Sequence, residues 1–263
     1  MIVDSALAQR VEGALADDVA VFVRGRATVD PNSRACRAPV AGGWAAFTGL
    51  FGSRVQGAGL AGQVDAAEVD AAERFFDGVA FAPEFEICPL AAASLWEVLA
   101  QRRYRLVGFR NVYGVVPRVG SRAQMEILRV GADEFSTWSE IVLDGFGYTD
   151  QEARSRVGRW NRMVFDQPEA ALFLAVLDGE PVGAANVLVH GEVASLGGTT
   201  TLAEFRRRGV QQALLAARLA YANTSGSTLA IVTADPGGGS ARNIERAGFQ
   251  LAYTNARLRR PER

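Results

Sequence analysis

The sequence predicts a mixed α/β (α+β) chain: a mostly antiparallel central sheet flanked by helices, duplicated along its length. Three observations carry this expectation. Between residues 171 and 202, three apolar stretches are divided by tight-turn signals. The segment that follows alternates between helical and strand periodicity. A weaker copy of that alternation stands about 145 residues earlier.

Taken in order, residues 125–130 (M-E-I-L-R-V) alternate as a strand does. Asp133 then precedes Phe135, Trp138, Ile141 and Val142, an amphipathic helical spacing with an acid at its positive end. Residues 151–165 give a second, arginine-rich helix, and Pro168 closes the region. Residues 171–177 are a nearly unbroken apolar run, Asp178-Gly179 is a hairpin turn signal, and residues 181–189 return as a second strand. Gly191 turns the chain again into a threonine-rich third strand, 193–202. Residues 210–222 are helical, with Val210, Leu214, Leu215, Leu219 and Ala222 forming the apolar face. A short buried strand at 229–232 leads through the loop 235–239 to a helix that Ser240 can cap and Gly248 can stop. Residues 249–258 form the last strand.

The N-terminal half repeats the pattern: helix 64–76, strand 84–88, helix 92–101, strand 105–116. Tyr104 and Phe249 end matching helices, Cys88 and Val232 end matching strands, and both pairs lie about 145 residues apart. The same shift carries Val64 onto Gly209. Domains of 1–118 and 119–263 follow, divided where proline, glycine, serine and arginine cluster at 117–122.

Composition sets the outer limits. The chain has 263 residues, 49% hydrophobic and 22% charged, with a formal net charge of −1. That length allows one large domain or two small ones, and the charge balance offers no global basic field for nucleic acid or an anionic membrane. The long cationic side chains are all arginine, a mark of GC-rich coding beside abundant alanine and glycine. Cys36 and Cys88 match no metal-ligand spacing and His190 is the single histidine, so no metal is expected. The N-terminus carries early acids instead of the apolar core of a secretion signal, and no stretch nears ~18 uncharged apolar residues, so the expected location is the cytoplasm.

The chemistry concentrates after the third strand of the meander. Residues 201–215 read T-L-A-E-F-R-R-R-G-V-Q-Q-A-L-L, joining a strand to a helix through three arginines and a glycine. A helix start offers unpaired amides and the positive end of a dipole, glycine permits close approach, and arginine adds permanent charge; together these suit a diphosphate. The segment resembles the GNAT acetyltransferase superfamily, whose signature Gln/Arg-x-x-Gly-x-Gly/Ala maps onto Arg206, Gly209 and Gln211, the last departing from Gly/Ala. Ala203-Glu204-Phe205-Arg206 is similar to the family's lead-in, and S-A-R-N-I-E-R-A-G-F, residues 240–249, to its closing helix and Gly-Phe.

The resemblance implies a GNAT fold with a V-shaped cleft for acetyl-CoA as acyl donor. Thr200, Thr201 and Leu202 would offer backbone groups to pantetheine. Arg206, Arg207, Arg208, Gly209, Val210, Gln211 and Gln212 would surround the pyrophosphate, with Ser240 and Asn243 on the pantetheine arm. Many family members place a tyrosine acid four residues before the Gly-Phe glycine, where this chain has Ile244, and a carboxylate in the strand before the loop, where residues 193–201 contain none. Tyr253, Ser240 and Asp235 are the substitute candidates for proton transfer, and His190 falls at a hairpin end.

One further motif competes. Gly57-Ala58-Gly59-Leu60-Ala61-Gly62 is a G-x-G-x-x-G before a helix, the form of a dinucleotide-binding turn, but Asp65, Glu68 and Asp70 follow it and no arginine accompanies it. Three functions stay open at this point. The first is an N-acetyltransferase acting on a small-molecule or peptide amine, its N-terminal half lining the acceptor side or mediating a homodimer. The second is an acyl-CoA-binding sensor without turnover. The third is a nucleotide binder using residues 57–62.

Overall fold

The computed structural model describes residues 3–49, 52–118 and 125–261. The chain forms two compact units: one runs through Gly114 and resumes at Thr233, and the other is Val115–Val232. This division differs from the expected domains of 1–118 and 119–263, because the C-terminal thirty or so residues belong with the N-terminal half. Residues 119–122 of the expected junction lie outside the described residues.

The discontinuous unit opens with α1 (Ser5–Val29). Asp4 caps it, accepting from the Leu7 amide at 2.8 Å, and Ala8, Val11, Leu15 and Val19 bury one face. This helix lies outside the elements expected from periodicity. Strands β1 (Cys36–Val40), β2 (Gly43–Phe47) and β3 (Arg54–Gln56) follow as an antiparallel meander. Next come α2 (Ala66–Gly78), β4 (Glu84–Ile87), α3 (Ala93–Gln101) and β5 (Arg105–Val115), close to the expected spans. Val55, Val69, Phe76, Phe85, Leu95 and Leu99 fill the core between sheet and helices.

The second unit holds β6 (Glu126–Arg129), α4 (Phe135–Gly145), α5 (Gln151–Phe165), β7 (Ala170–Leu177), β8 (Glu180–His190), β9 (Val193–Thr201), α6 (Val210–Thr224) and most of β10 (Leu229–Ala234). Its strand order is β10-β9-β8-β7-β6, antiparallel except for β9 with β10. Asp178 and Gly179 both take positive φ, 54° and 84°, as a two-residue hairpin turn demands.

The chain then returns to the first unit with α7 (Gly239–Arg246) and β11 (Gln250–Arg259). Strand β11 lies between β4 and β5, antiparallel to both, giving the order β1-β2-β3-β4-β11-β5. Its polar side chains account for that placement. Glu84 of β4 accepts from Arg257 Nε at 2.8 Å and Arg259 Nε at 2.9 Å. Fully buried Glu12 of α1 accepts from Tyr253 Oη at 2.8 Å, from Asn255 Nδ2 at 3.0 Å and from Gln56 Nε2. A strand leaving this slot would abandon a buried carboxylate to apolar surroundings, a cost of several kcal/mol by order of magnitude.

Burial pushes the Glu12 carboxyl above its ordinary value of 4.5, against the lowering effect of the bonds from Asn255, Gln56 and Tyr253. Its favourable contribution is therefore full below 4.5 and is lost as pH rises through the raised folded value. Glu12→Gln removes that titration. Relative to wild type the variant should gain stability as pH climbs, by at most ~1.4 kcal/mol per pH unit. Urea midpoints of both proteins across that range check this, and parallel pH curves would count against it.

Candidate functional site

The site is built on the parting of two parallel strands. Strand β9 pairs with β10 only over Val193–Leu229, Ala194–Ala230 and Ser195–Ile231, while β9 itself continues to Thr201. The departure coincides with a bulge. On the β8 side the register runs Gly183–Thr201 and Ala184–Thr200, then jumps to Asn186–Gly197, so two β9 residues oppose one on β8. Gly198 sits in the bulge at φ 51°, and a Cβ there would meet Asn186 Oδ1 at 2.4 Å, so no larger residue fits without displacing Asn186.

A bulge frees carbonyls that need new donors. Trp138 Nε1 on α4 donates to Ala185 O at 3.2 Å. Arg218 on α6 donates through Nη1 to Gly197 O at 3.1 Å and Asn186 O at 3.2 Å, and through Nε to Leu214 O at 3.2 Å. Arg218 is buried, and burial pushes its guanidinium down to about 9. No carboxylate pairs with it among the described residues.

Beyond the bulge, β9 ends at Thr201, and a short 3-10 turn, Ala203–Phe205, leads to the arginine loop. Arg206 is tied back at long range, to Thr201 O and Gly145 O at 3.4 Å each. Arg207 holds a left-handed backbone, φ 66°, unusual for a residue with a Cβ and a mark of a constrained loop. Arg208 lays its guanidinium over the Phe205 ring at 5.4 Å. Gly209, at φ 81°, is the N-cap of α6 and brings no capping side chain. A 15-residue helix thus starts without a capping side chain, beside exposed arginines, an arrangement that suits a bound anion.

The glycine loop at residues 57–62 and the start of α2 are closed. Asp65 caps α2, accepting from the Glu68 amide at 3.0 Å, and Glu68 returns a bond to the Asp65 amide at 3.0 Å. Two carboxylates occupy the place where a diphosphate would sit. Gly59 is packed against α3: its carbonyl accepts from Ala92 N at 2.8 Å, and a Cβ would meet Leu95 and Ala91 within 3.2 Å. Pairing of β3 with β4 reaches Gln56, the last residue of β3, so these parallel strands do not part as β9 and β10 do. The geometry thus weighs against a nucleotide at residues 57–62.

Thr200, Thr201, Leu202 and the residues from Arg206 to Gln212 stand together in the second unit, Thr200 buried and the three arginines exposed. Asp235, Ser240, Asn243 and Tyr253 belong to the other unit. Ser240 does not cap α7 as expected. Gly238 is the N-cap, without a side-chain bond, because the glycine run lets the helix begin earlier, and Ser240 lies exposed in the first turn. Tyr253 is buried, and burial with the neighbouring Glu12 pushes its hydroxyl well above its usual range, which disfavours it as a proton donor to solvent-borne chemistry. Asp235 is exposed, Ile244 is buried, and His190 is half-buried at the end of β8. Cys88 is a buried free thiol pushed up to about 12 by burial. No cluster able to hold a metal occurs among the described residues.

Sequence reading missed Trp138, Asn186, Gly198 and Arg218 as a group. One signal was available: Arg218 stands four residues after Leu214 and four before Ala222, on the apolar face of its helix.

Residues 135–249 match the acetyltransferase (GNAT) family model. That stretch is similar in sequence to GNAT acetyltransferases. Among solved structures it is similar to a GCN5-related N-acetyltransferase from Kribbella flavida, at 21% identity and TM-score 0.64, covering 94% of this chain and 96% of that one. A GCN5-related N-acetyltransferase from Sphaerobacter thermophilus aligns at 19% identity and TM-score 0.58, over 80% and 73%. A tandem GNAT protein from the clavulanic acid biosynthesis pathway aligns at 15% identity and TM-score 0.57, over 80% and 76%. These identities speak for the fold, which is that of GNAT proteins, some of them tandem. No curated protein matches the chain in sequence.

The site's framework is open to a direct test. Gly145 ends α4 against Thr200, and a Cβ at Gly145 would lie 2.3 Å from Thr200 Oγ1. Gly145→Ala should cost about 1–3 kcal/mol through overpacking. Thr200→Ala in the same chain should recover most of that loss. A double-mutant cycle of thermal midpoints measures the coupling.

Proposed function

We propose that this chain transfers an acetyl group from acetyl-CoA to an amine. The observation that supports this best is the uncapped start of α6 beside Arg206, Arg207 and Arg208, at the end of a strand that has left its parallel partner. On this reading the α6 amides and the arginines take the diphosphate, and the β9 backbone past the bulge lines the pantetheine. The amine nitrogen attacks the thioester carbonyl, the C–N bond forms as the C–S bond breaks, the nitrogen loses a proton and the CoA thiolate gains one. Alignment of amine and thioester supplies a large share of the rate. We also read the two halves as products of duplication, only one of which kept a donor site.

One observation favours a second reading, an acyl-CoA sensor without turnover: the family's usual acid position is the buried Ile244, and β9 holds no carboxylate.

Calorimetry with acetyl-CoA tests the donor site. Arg207→Glu places a like charge against the diphosphate and should weaken binding at least about tenfold. Ala61→Asp, in the exposed glycine loop of the other unit, should leave binding unchanged. The reverse pattern, or NADH binding without acetyl-CoA binding, would sink the proposal. Thiol release over a panel of small amines and peptides then separates the readings: turnover supports the transferase, and tight binding with silence across the panel supports the sensor.

A further inference from the structure

Arg218 is an anomaly that acyl-CoA binding alone does not require. A guanidinium buried without a carboxylate is expensive, and its removal in favour of an apolar side chain is often tolerated or even stabilising. Here its hydrogen bonds go to backbone carbonyls, two of them to Asn186 O of β8 and Gly197 O of β9, the registered pair that borders the bulge.

The geometry of the Gly197–Gly198 peptide gives that charge a use. No peptide bond in the described chain is cis, so each C=O and the following N–H point in opposite directions. The Gly197 carbonyl points at Arg218, so the Gly198 amide points away from it. Gly198 is exposed, bulged out of the ladder and without a side chain, while Arg218 is buried beneath. A cation bonded to the carbonyl end of a peptide draws electron density from it and makes its N–H a stronger donor, more so where the dielectric is low.

We propose that Arg218 is a positioning residue for acyl transfer: it clamps the β9 bulge and polarises the Gly197–Gly198 peptide, so that the Gly198 amide hydrogen-bonds the thioester carbonyl of the donor. This rests on the acyl-CoA reading above. Arg218 never touches the substrate. It acts on the carbonyl through one peptide unit, strengthening the bond as negative charge builds on that oxygen.

The test uses the full-length protein with acetyl-CoA labelled with carbon-13 at the thioester carbonyl, and with CoA as the acyl-free probe. Infrared difference spectra of bound acetyl-CoA should show the carbonyl band of wild type moved below its free position. In Arg218→Met the band should return toward the free value. The preference for acetyl-CoA over CoA should fall about fivefold, the worth of about one hydrogen bond, while CoA affinity holds. A purely structural arginine would weaken both ligands together and leave the band of bound donor in place, which would overturn the proposal. Should Arg218→Met not fold, Arg218→Lys keeps the charge on a shorter reach and should hold the band at or between the wild-type and free positions; a folded lysine variant that binds acetyl-CoA with its band at the free position would overturn the proposal. Failure of the underlying reading would look different, since wild type would then bind no acetyl-CoA at all.

Discussion

The second unit depends on one strand leaving its neighbour. Parallel β9 and β10 share three registered pairs and then part, and the parting is fixed by a bulge at Gly198. A bulge in the middle of a sheet creates backbone groups with nowhere to go. Helices α4 and α6 resolve this from outside the ladder, with Trp138 taking Ala185 O and Arg218 taking Asn186 O and Gly197 O. Glycine at 197 and 198 leaves room for the Asn186 side chain, and Gly145 lets α4 approach Thr200. The arginine loop therefore follows a strand whose bulge Arg218 bonds and whose end packs against Gly145 of α4.

A comparable constraint organises the other unit. Glu12 is buried two turns into α1, and two of its three donors, Tyr253 and Asn255, come from a strand more than two hundred residues later. The carboxylate makes the register of β11 specific, since a one-residue slip would turn Asn255 and Tyr253 to the opposite face. Glu84 adds a second grip through Arg257 and Arg259. The last strand of the chain is thereby committed to the unit where the chain began.

Much of this could be read from local sequence. The hairpin at Asp178-Gly179, the α5 span and the βαβ run from β9 to β10 follow from turn chemistry and periodicity, which are properties of neighbouring residues. The arginine loop was legible for the same reason, because strand, glycine and helix lie within fifteen positions. Three things were not. Helix α1 carries Asp4 and an apolar stripe at Ala8, Val11, Leu15 and Val19, yet its alanine-rich face gives weak contrast. The placement of β11 was hidden because Glu12, Tyr253 and Asn255 are scattered along the sequence. The bulge escaped because Gly197-Gly198 in a strand announces irregularity without naming the arginine that stabilises it twenty residues on.

The two halves differ most instructively where their order of elements matches. Each presents a strand, a glycine-bearing loop and a helix, α2 in one and α6 in the other. Helix starts carry the same unpaired amides whatever the sequence, so capping decides what they can bind. Asp65 and Glu68 fill those positions on α2 with the chain's own carboxylates, and the helix gains stability while losing any use for an anion. On α6 the cap is Gly209, which supplies no side-chain acceptor, and three exposed arginines precede it. A helix start without a capping side chain beside three arginines is locally unfavourable, and Arg207 adds a left-handed backbone to that cost. A helix start kept in this state is stabilised once an anion arrives, by the amount that capping would otherwise have supplied. The contrast therefore lies in capping: α2 commits its first amides to its own carboxylates, and α6 has no side chain at its cap to do so.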